Sequence, residues 1–226
     1  MKVAVCFSGL PRFVQECAAY WRHCLLEPYD CDVFVHVWKS SPASDHTHAQ
    51  LINQFYSPTI MVQDHTPQFD VSSYTQRVWP HRVTPQAQFS QFEGIKRAQQ
   101  LRQRSELHNG RKYDVVIRAR FDWYLHEVLF EHNTCVNVAR TPTLDGHHFT
   151  YDHVPLVGIS DQFAYGSSHV MDVYAQIVDN MPSLYHNHGV DFCGELFLRA
   201  HLHEHNVCIR QHVWQNGIVR TWGIMP

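Results

Sequence analysis

Residues 2–12 read KVAVCFSGLPR and set the first element of the fold. Apart from Lys2, residues 2–7 are continuously apolar and include two β-branched valines, which is typical of a parallel strand buried on both faces. Gly9 and Pro11 interrupt this run and predict a turn. The first predicted element is therefore a buried strand whose carboxyl end leads into a glycine-containing turn.

The next two elements predict a βαβ unit. Apolar side chains recur at helical spacing over residues 13–26, and residues 32–38 are again β-branched and aromatic. A strand, a helix and a second strand in this order form a right-handed crossover with two parallel strands. Residues 39–85, rich in Ser, Pro, His, Gln and Asp, predict a variable loop region with one short strand at 59–63.

The remaining elements extend the same pattern. A long amphipathic stretch over residues 86–107 predicts a helix, and residues 113–118 predict another buried strand. Helices are also predicted at 168–180 and 191–202, and a strand is predicted at 207–210. We therefore expect an α/β fold with a mostly parallel central sheet and helices on both faces.

The length and composition favour a single domain over residues 1–226, and the cysteines favour a reducing compartment. The chain is 44% apolar and has a formal net charge of −3, with dispersed Lys and Arg, which excludes a basic surface for nucleic acid. No apolar stretch approaches the roughly 20 residues that cross a bilayer, so we expect no transmembrane segment. The odd set of seven cysteines lacks a C-x-x-C pair, which predicts reduced thiols and a cytoplasmic protein.

The turn after the first strand is a candidate phosphate site. Backbone N–H groups at the start of the following helix, together with Ser8, Gly9 and the Arg12 guanidinium, could contact a pyrophosphate. The run has neither the lysine of a P-loop nor the glycine spacing of a dinucleotide-binding motif. A plain turn with a surface arginine is the alternative.

A second candidate lies at the end of the strand over residues 113–118. Arg118, Arg120 and Asp122 stand where an apolar strand ends, and charged side chains are costly there unless they are paired or bind a ligand. Asp122 could hold a divalent cation, Mn²⁺ or Mg²⁺, against a nucleotide diphosphate. The alternative is an internal Arg–Asp salt bridge.

Three carboxylates in the second half are candidates for a catalytic base. Asp161 follows a short predicted strand, and Asp191 and Glu195 are spaced i, i+4 on a predicted helix, where they would share one face. The alternative is that these carboxylates have no catalytic role and lie there because negative charge is stabilised near the positive end of a helix dipole.

The 19 histidines raise the question of a metal site. His201, His203 and His205 would present three imidazoles on one face of an extended strand, as a metallohydrolase would need. The preceding residues 196–200 have a helical pattern, and a continued helix would splay the three side chains apart. The helical interpretation is the one we expect.

Four runs together resemble a family. These are residues 2–12, Ser90-Gln91-Phe92-x-x-Ile95, residues 113–122 and residues 161–168. In this order they resemble a group of bacterial and viral polysaccharide-associated proteins with a GT-A type glycosyltransferase fold, and the resemblance spans most of the chain.

The resemblance implies a glycosyltransferase that transfers a sugar from a nucleoside-diphosphate sugar to a glycan hydroxyl. It implies a nucleotide-binding half over residues 1–125, with Ser8, Gly9, Arg12, Arg118 and Arg120 near the donor, and an acceptor-side half over 126–226. Arg120 replaces the first acid of the Asp-x-Asp metal motif, so either Asp122 alone holds the cation or arginine replaces it. A non-catalytic carbohydrate-binding or scaffold protein with the same fold is the alternative.

Overall fold

A computed structural model of the chain describes residues 1–75, 83–125, 138–142, 149–151, 154–156, 158–212, 216–220 and 223–225. The helices are α1 (Val14–Trp21), which a π-helical turn (Arg22–Leu26) continues, α2 (Pro42–Tyr56), α3 (Pro85–Asn109), α4 (Ser168–Ala175), α5 (Ile177–His186) and α6 (Gly194–Glu204). The strands are β1 (Lys2–Ser8), β2 (Asp30–Trp38), β3 (Ile60–Asp64), β4 (Val115–Ala119), β5 (Trp123–Leu125), β6 (Val138–Pro142), β7 (Phe149–Tyr151), β8 (Val154–Leu156), β9 (Phe163–Gly166), β10 (Cys208–His212), β11 (Asn216–Arg220) and β12 (Gly223–Met225).

The central sheet has seven strands in the order β3-β2-β1-β4-β9-β6-β10. Strands β1 to β4 are mutually parallel, β6 and β10 are parallel, and β9 runs antiparallel to both its neighbours. The chain passes from β1 through α1 to β2 on one side, and from β3 through α3 to β4 on the other side of β1. The direction of the crossovers therefore reverses between β1 and β4.

Alternate side chains of β1 enter two separate cores, because successive residues of a strand point to opposite faces. Val5 and Phe7 pack on one face with Trp21 of α1 and Tyr56 of α2, and the Phe7 and Trp21 rings lie 5.2 Å apart. Ala4 and Cys6 belong to the core on the other face, which α3 to α6 cover. The predicted α/β sheet with helices on both faces is confirmed at this level.

Helix α2 corrects the expectation of a loop over residues 39–85. The helix begins after Ser41, whose side chain accepts a hydrogen bond from the Ser44 N–H, and Pro42 occupies its first position. Its only buried side chains are Ile52 and Tyr56. Because so few apolar side chains of α2 are buried, the polar composition of this stretch did not indicate a helix. The predicted short strand is present as β3.

Two helix boundaries also differ from the prediction. The stretch over 168–180 forms two helices, α4 and α5, with a break at Gln176, where ψ reaches 0°. The helix expected from residue 191 begins at Gly194 instead. Residues 191–193 are therefore not helical, which changes the relation between two of the candidate acids.

Two expectations from composition can be compared with the described residues. Six of the cysteines lie among them, and all six are free thiols, namely Cys6, Cys17, Cys24, Cys31, Cys193 and Cys208. Cys135 lies outside the described residues. Within the described part of the chain, no helix has the length and apolar character needed to cross a bilayer.

Candidate functional site

The carboxyl ends of β1 and β4 and the segment before β9 meet at one edge of the sheet. In the register of β1 and β4, Phe7 pairs with Ala119, so Ser8 lies beside position 120. Because β9 is antiparallel to β4 and Phe163 also pairs with Ala119, Asp161 comes to the same edge from the opposite direction. This topology brings together candidates that are far apart in sequence.

The turn between β1 and α1 has an unusual backbone. Gly9 has φ 109°, and a Cβ placed on it would meet nothing within 4 Å, so glycine is needed there for its backbone freedom. Phe13, just before α1, has φ 53°, a left-handed conformation that is strained for a bulky residue. Ser8 is buried, whereas the Arg12 side chain is exposed at the start of the helix.

Arg120 and Asp122 form a bidentate ion pair just after β4. The Arg120 Nε donates to Asp122 Oδ1 at 2.8 Å, and Nη2 donates to Oδ2 at 2.7 Å. Burial lowers the pKa of Arg120, but the charge and hydrogen bonds of Asp122 outweigh it and leave that pKa raised. The internal salt bridge considered for this strand end is therefore present.

The Arg120–Asp122 ion pair affects whether Asp122 can bind a metal ion. Both carboxylate oxygens of Asp122 already accept hydrogen bonds from Arg120. Among the described residues, no three His, Cys, Asp or Glu side chains are grouped so that they could hold a metal ion. This donor set does not fit a resident Mn²⁺ or Mg²⁺, because a cation at Asp122 would first have to open the pair.

Arg118 differs from Arg120 because it lies within β4 and is only 1% exposed. Its Nη1 donates to the backbone carbonyl of Gln162, which ties the segment before β9 to β4. Burial lowers its pKa, while the charges of Tyr174, Asp161 and Asp122 oppose that effect. Arg118 is therefore an internal cation rather than a surface for a diphosphate.

Asp161 and Glu195 form a carboxyl pair at this edge. The Asp161 Oδ2 accepts a hydrogen bond of 2.6 Å from Gln91 Nε2 on α3. Burial, followed by the negative charge of Asp161, raises the pKa of Glu195 to about 7. A carboxyl group that exchanges its proton near neutral pH is suited to general-base chemistry.

Close backbone packing positions Glu195. Its carbonyl accepts from the Ile159 N–H at 3.2 Å, and a Cβ placed on Gly158 would lie 2.7 Å from the Glu195 Cβ. The thiol of Cys193 donates to the Glu195 Oε2 at 3.0 Å. A Cβ placed on Gly194 would lie 3.3 Å from the Asp161 Oδ2. Two glycines thus permit the start of α6 to approach Asp161.

Asp191 does not share a helix face with Glu195, so that prediction is wrong. Asp191 precedes the first residue of α6 and therefore lies outside the i, i+4 geometry. It lines an open groove of about 570 Å³, together with His188, Arg199 and His203. Of the three candidate bases, Asp161 and Glu195 lie together and Asp191 belongs to this groove.

The three late histidines follow the helical interpretation. His201 and His203 lie within α6, which continues to Glu204, and His205 follows it. His201 is buried, and its Nε2 lies 2.7 Å from the Val173 carbonyl, an arrangement in which that nitrogen carries the proton. Burial lowers its pKa to about 4. His201 is therefore a neutral packing residue between α4 and α6.

Two residues of the site were not assigned a role from sequence. Gln91 appeared only as part of a resembling run, although its position on the amphipathic stretch was visible. Cys193 appeared only as one of seven cysteines expected to be reduced. Their hydrogen bonds to the carboxyl pair depend on how α3 and the start of α6 pack, which no local pattern encodes.

Comparison with protein-family models and with curated proteins gives no match for this chain, so the candidate site rests on its own geometry.

Proposed function

We propose that this chain is a glycosyltransferase with a GT-A-like fold, which transfers a sugar from a nucleoside-diphosphate sugar to a glycan hydroxyl. The observation that carries the proposal is the meeting of a glycine turn, a basic strand end and a carboxyl pair at one sheet edge. In open α/β sheets, ligands bind outside the carboxyl ends of strands where the crossovers diverge. Here that point lies between β1 and β4.

In this proposal the donor diphosphate lies over the β1–α1 turn. Helix α1 begins without a side-chain cap, so its first backbone N–H groups supply donors for an anion, and the exposed Arg12 supplies a positive charge two residues before the helix. Arg120, which pairs with Asp122, follows β4 at the position beside Ser8 in the strand register and adds a second guanidinium. Two arginines stabilise the charge that develops on the leaving diphosphate, and no step requires a cation.

The acceptor hydroxyl lies at Glu195 in this proposal. Glu195 has a pKa of about 7 because it is buried and faces the charge of Asp161, so much of it is unprotonated at neutral pH. A base whose pKa lies near the working pH removes a proton most effectively. Asp161, which Gln91 holds, maintains that proton affinity.

A non-catalytic carbohydrate-binding protein is the second candidate, and one observation favours it. The Arg120–Asp122 pair occupies the place where the resemblance implies an acidic metal motif. A protein that retained the fold and lost the metal site would bind a glycan without turning over a donor.

A thermal-shift screen separates the two candidates. UDP-, GDP-, dTDP- and CMP-sugars are tested with and without Mn²⁺, and free oligosaccharides are tested in parallel. A ligand at 100 times its Kd stabilises the native state by about 2.7 kcal/mol, so binding appears as a higher Tm. The glycosyltransferase proposal predicts a Tm increase with one class of nucleotide-sugar. Stabilisation by oligosaccharides alone would support the binding protein instead.

A further inference from the structure

Helix α6 begins at a cysteine, which is an unusual residue for that position. Cys193 is the N-cap of the helix, with extended backbone angles of φ −150° and ψ 129°. Serine, threonine, asparagine and aspartate are preferred there, because their side-chain oxygens accept hydrogen bonds from the first N–H groups of the helix. The Cys193 side chain makes no such capping bond. Its thiol is therefore available for another contact.

A hydrophobic staple stabilises the start of α6 in place of a side-chain cap. Phe192 precedes the N-cap and Phe197 is the fourth residue of the helix, and their rings lie 5.1 Å apart, edge to face. Packing between these two positions fixes the direction in which a chain enters a helix. The Phe197 N–H also donates to the Cys193 carbonyl at 3.0 Å. The backbone of Cys193 is thus held in place without its side chain.

The Cys193 thiol contacts Glu195 directly. Its Sγ lies 3.0 Å from Glu195 Oε2, and the thiol is the donor in this contact. Cys193 is only 3% exposed, whereas Glu195 is partly exposed. The Cβ of Glu195 is confined as well, because a Cβ placed on Gly158 would lie 2.7 Å from it. Contacts at both ends of the Glu195 side chain therefore limit its freedom.

A thiol suits this place because it is a weak donor. Burial and the negative charge of Asp161 favour the protonated form of Glu195 and raise its pKa, and a hydrogen bond donated to the ionised form opposes both effects. A serine hydroxyl, the usual side chain at an N-cap, would donate more strongly and oppose them further. The thiol can therefore orient the carboxyl group while that group keeps most of its proton affinity.

We propose that Cys193 is a positioning residue for Glu195, whose carboxylate it orients by donating its thiol hydrogen to Oε2. Cys193 acts through Glu195 and takes no part in proton exchange itself, since burial raises the pKa of its thiol. One point rests on the proposed function, namely that the proton which Glu195 accepts comes from a glycan hydroxyl. The positioning is a property of the unliganded protein.

The test is a ¹³C NMR titration of the Glu and Asp carboxyl groups in the unliganded protein and in two variants. We expect Glu195 to titrate near pH 7 in the unmodified protein. Cys193→Ala removes the donor and should raise the midpoint by about half a pH unit. Cys193→Ser supplies a stronger donor and should lower it by about as much. An unchanged midpoint in both variants, or a shift of both in the same direction, would overturn the proposal.

Cys17→Ala is the matched control for lost packing. Cys17 is also a fully buried thiol, but it belongs to the core on the other face of the sheet. Its replacement should lower stability and leave the Glu195 midpoint in place. If Cys17→Ala moves the midpoint as far as Cys193→Ala does, the effect is a general response to a cavity and the proposal fails.

A second readout is the infrared S–H stretching region of the unmodified protein. One band should move to lower frequency as the pH rises through the Glu195 midpoint, because an ionised carboxylate is the stronger acceptor. Cys193→Ala should remove that band and Cys17→Ala should not. S–H bands that all ignore the pH would show that the thiol does not donate to Glu195. Both readouts are made without ligand, so a failure to bind nucleotide-sugars would refute only the proposed function.

Discussion

At the scale of single residues, the central feature is how charge is distributed among five side chains at one sheet edge. Arg120 and Asp122 neutralise each other in a bidentate pair, and Arg118 is buried beneath them. Asp161 and Glu195 then share the remaining negative charge, which raises the pKa of Glu195. The site therefore separates a part in which arginine and aspartate are paired from a part that exchanges protons.

The Arg120–Asp122 pair predicts how transfer responds to metal removal. Because both Asp122 oxygens accept from Arg120, we expect EDTA to leave turnover unchanged. If the proposed function is right, Arg120→Ala should lower kcat by about 10²–10³, a larger loss than Asp122→Asn causes, because the proposal assigns to Arg120 the stabilisation of the leaving diphosphate. Donor hydrolysis and transfer are measured for each variant with EDTA and with Mn²⁺.

The double variant Arg120→Ala/Asp122→Asn controls for folding, because it leaves no buried unpaired charge. It should fold and show the same loss of turnover as Arg120→Ala. Strict Mn²⁺ dependence that Asp122→Asn abolishes would contradict the arginine mechanism. Full activity in all three variants would mean that the strand end is only a structural salt bridge.

The raised pKa of Glu195 predicts that this residue destabilises the fold at alkaline pH. Its pKa is raised from 4.5 to about 7, so the folded state binds more protons than the unfolded state between these values. The free energy of unfolding should therefore fall as the pH rises through this window. Glu195→Gln should be more stable by on the order of 1–3 kcal/mol at pH 8 and nearly unchanged at pH 4.

Urea unfolding at pH 4 and pH 8 measures this effect, and the same variant should lose transfer at both values. Asp191→Asn is the matched control, because Asp191 lies in the groove outside the carboxyl pair. It should show no comparable gain at pH 8. A Glu195→Gln protein that is equally stable and fully active would remove Glu195 from the mechanism.

At the scale of elements, the site depends on how closely α6 approaches the segment before β9. Gly158 packs against Glu195, and Gly194 packs beside Asp161 and Gln88, so backbone proximity holds the two acids together. Gln91 completes the arrangement from α3. Loss of this packing should separate the carboxyl groups without disturbing the β1–α1 turn.

Gly158→Ala tests this dependence. The added methyl group would lie 2.7 Å from the Glu195 Cβ, which forces α6 or the segment before β9 to move. We expect a loss of stability of about 1–3 kcal/mol and a lower pKa for Glu195, because the pair is pulled apart. Gly94→Ala is the matched control in α3, where the methyl would lie 3.4 Å from the Trp38 Nε1.

Thermal unfolding and the Glu195 titration are recorded for both glycine variants. Gly94→Ala should be close to neutral, because alanine favours the helix by about 1 kcal/mol over glycine and the contact is only slightly tight. If Gly158→Ala keeps both the stability and the Glu195 midpoint, close packing is not what sets the charge of the pair.

At the scale of the whole molecule, the order of strands explains why the site lies where it does. The crossover that leaves β1 leads to one side of this strand, and the crossover that reaches β4 leads to its other side. Strand β9 runs antiparallel beside β4, and Asp161 lies just before it. The sheet combines strands from both ends of the sequence, from β1 to β10. The turn at Gly9 and the carboxyl group of Glu195 therefore lie at the same edge of the sheet.

Periodicity and turn chemistry in the sequence were enough to predict β1 to β4, β10 and the β1–α1 turn, because burial leaves short, continuous apolar runs. Strand β6 was not predicted, and the short strand expected before Asp161 was wrong, since β9 begins after it at Phe163. The same reasoning could not find α2, where only Ile52 and Tyr56 are buried. It also placed Asp191 on a helix that begins three residues later, at Gly194. The carboxyl pair depends on packing between distant elements, so single-sequence patterns could not bring Asp161 and Glu195 together.

The most direct test of the central claim is calorimetric titration of the protein with the nucleotide-sugar that raises its Tm. Arg12→Ala removes an exposed guanidinium at the β1–α1 turn, and Arg22→Ala removes one that pairs with Glu27 beyond the other end of α1. The account predicts that Arg12→Ala weakens donor binding by about 1–3 kcal/mol without a comparable loss of stability. Arg22→Ala should leave donor binding unchanged. Equal donor affinity in all three proteins, or no binding of any nucleotide-sugar, would contradict the account.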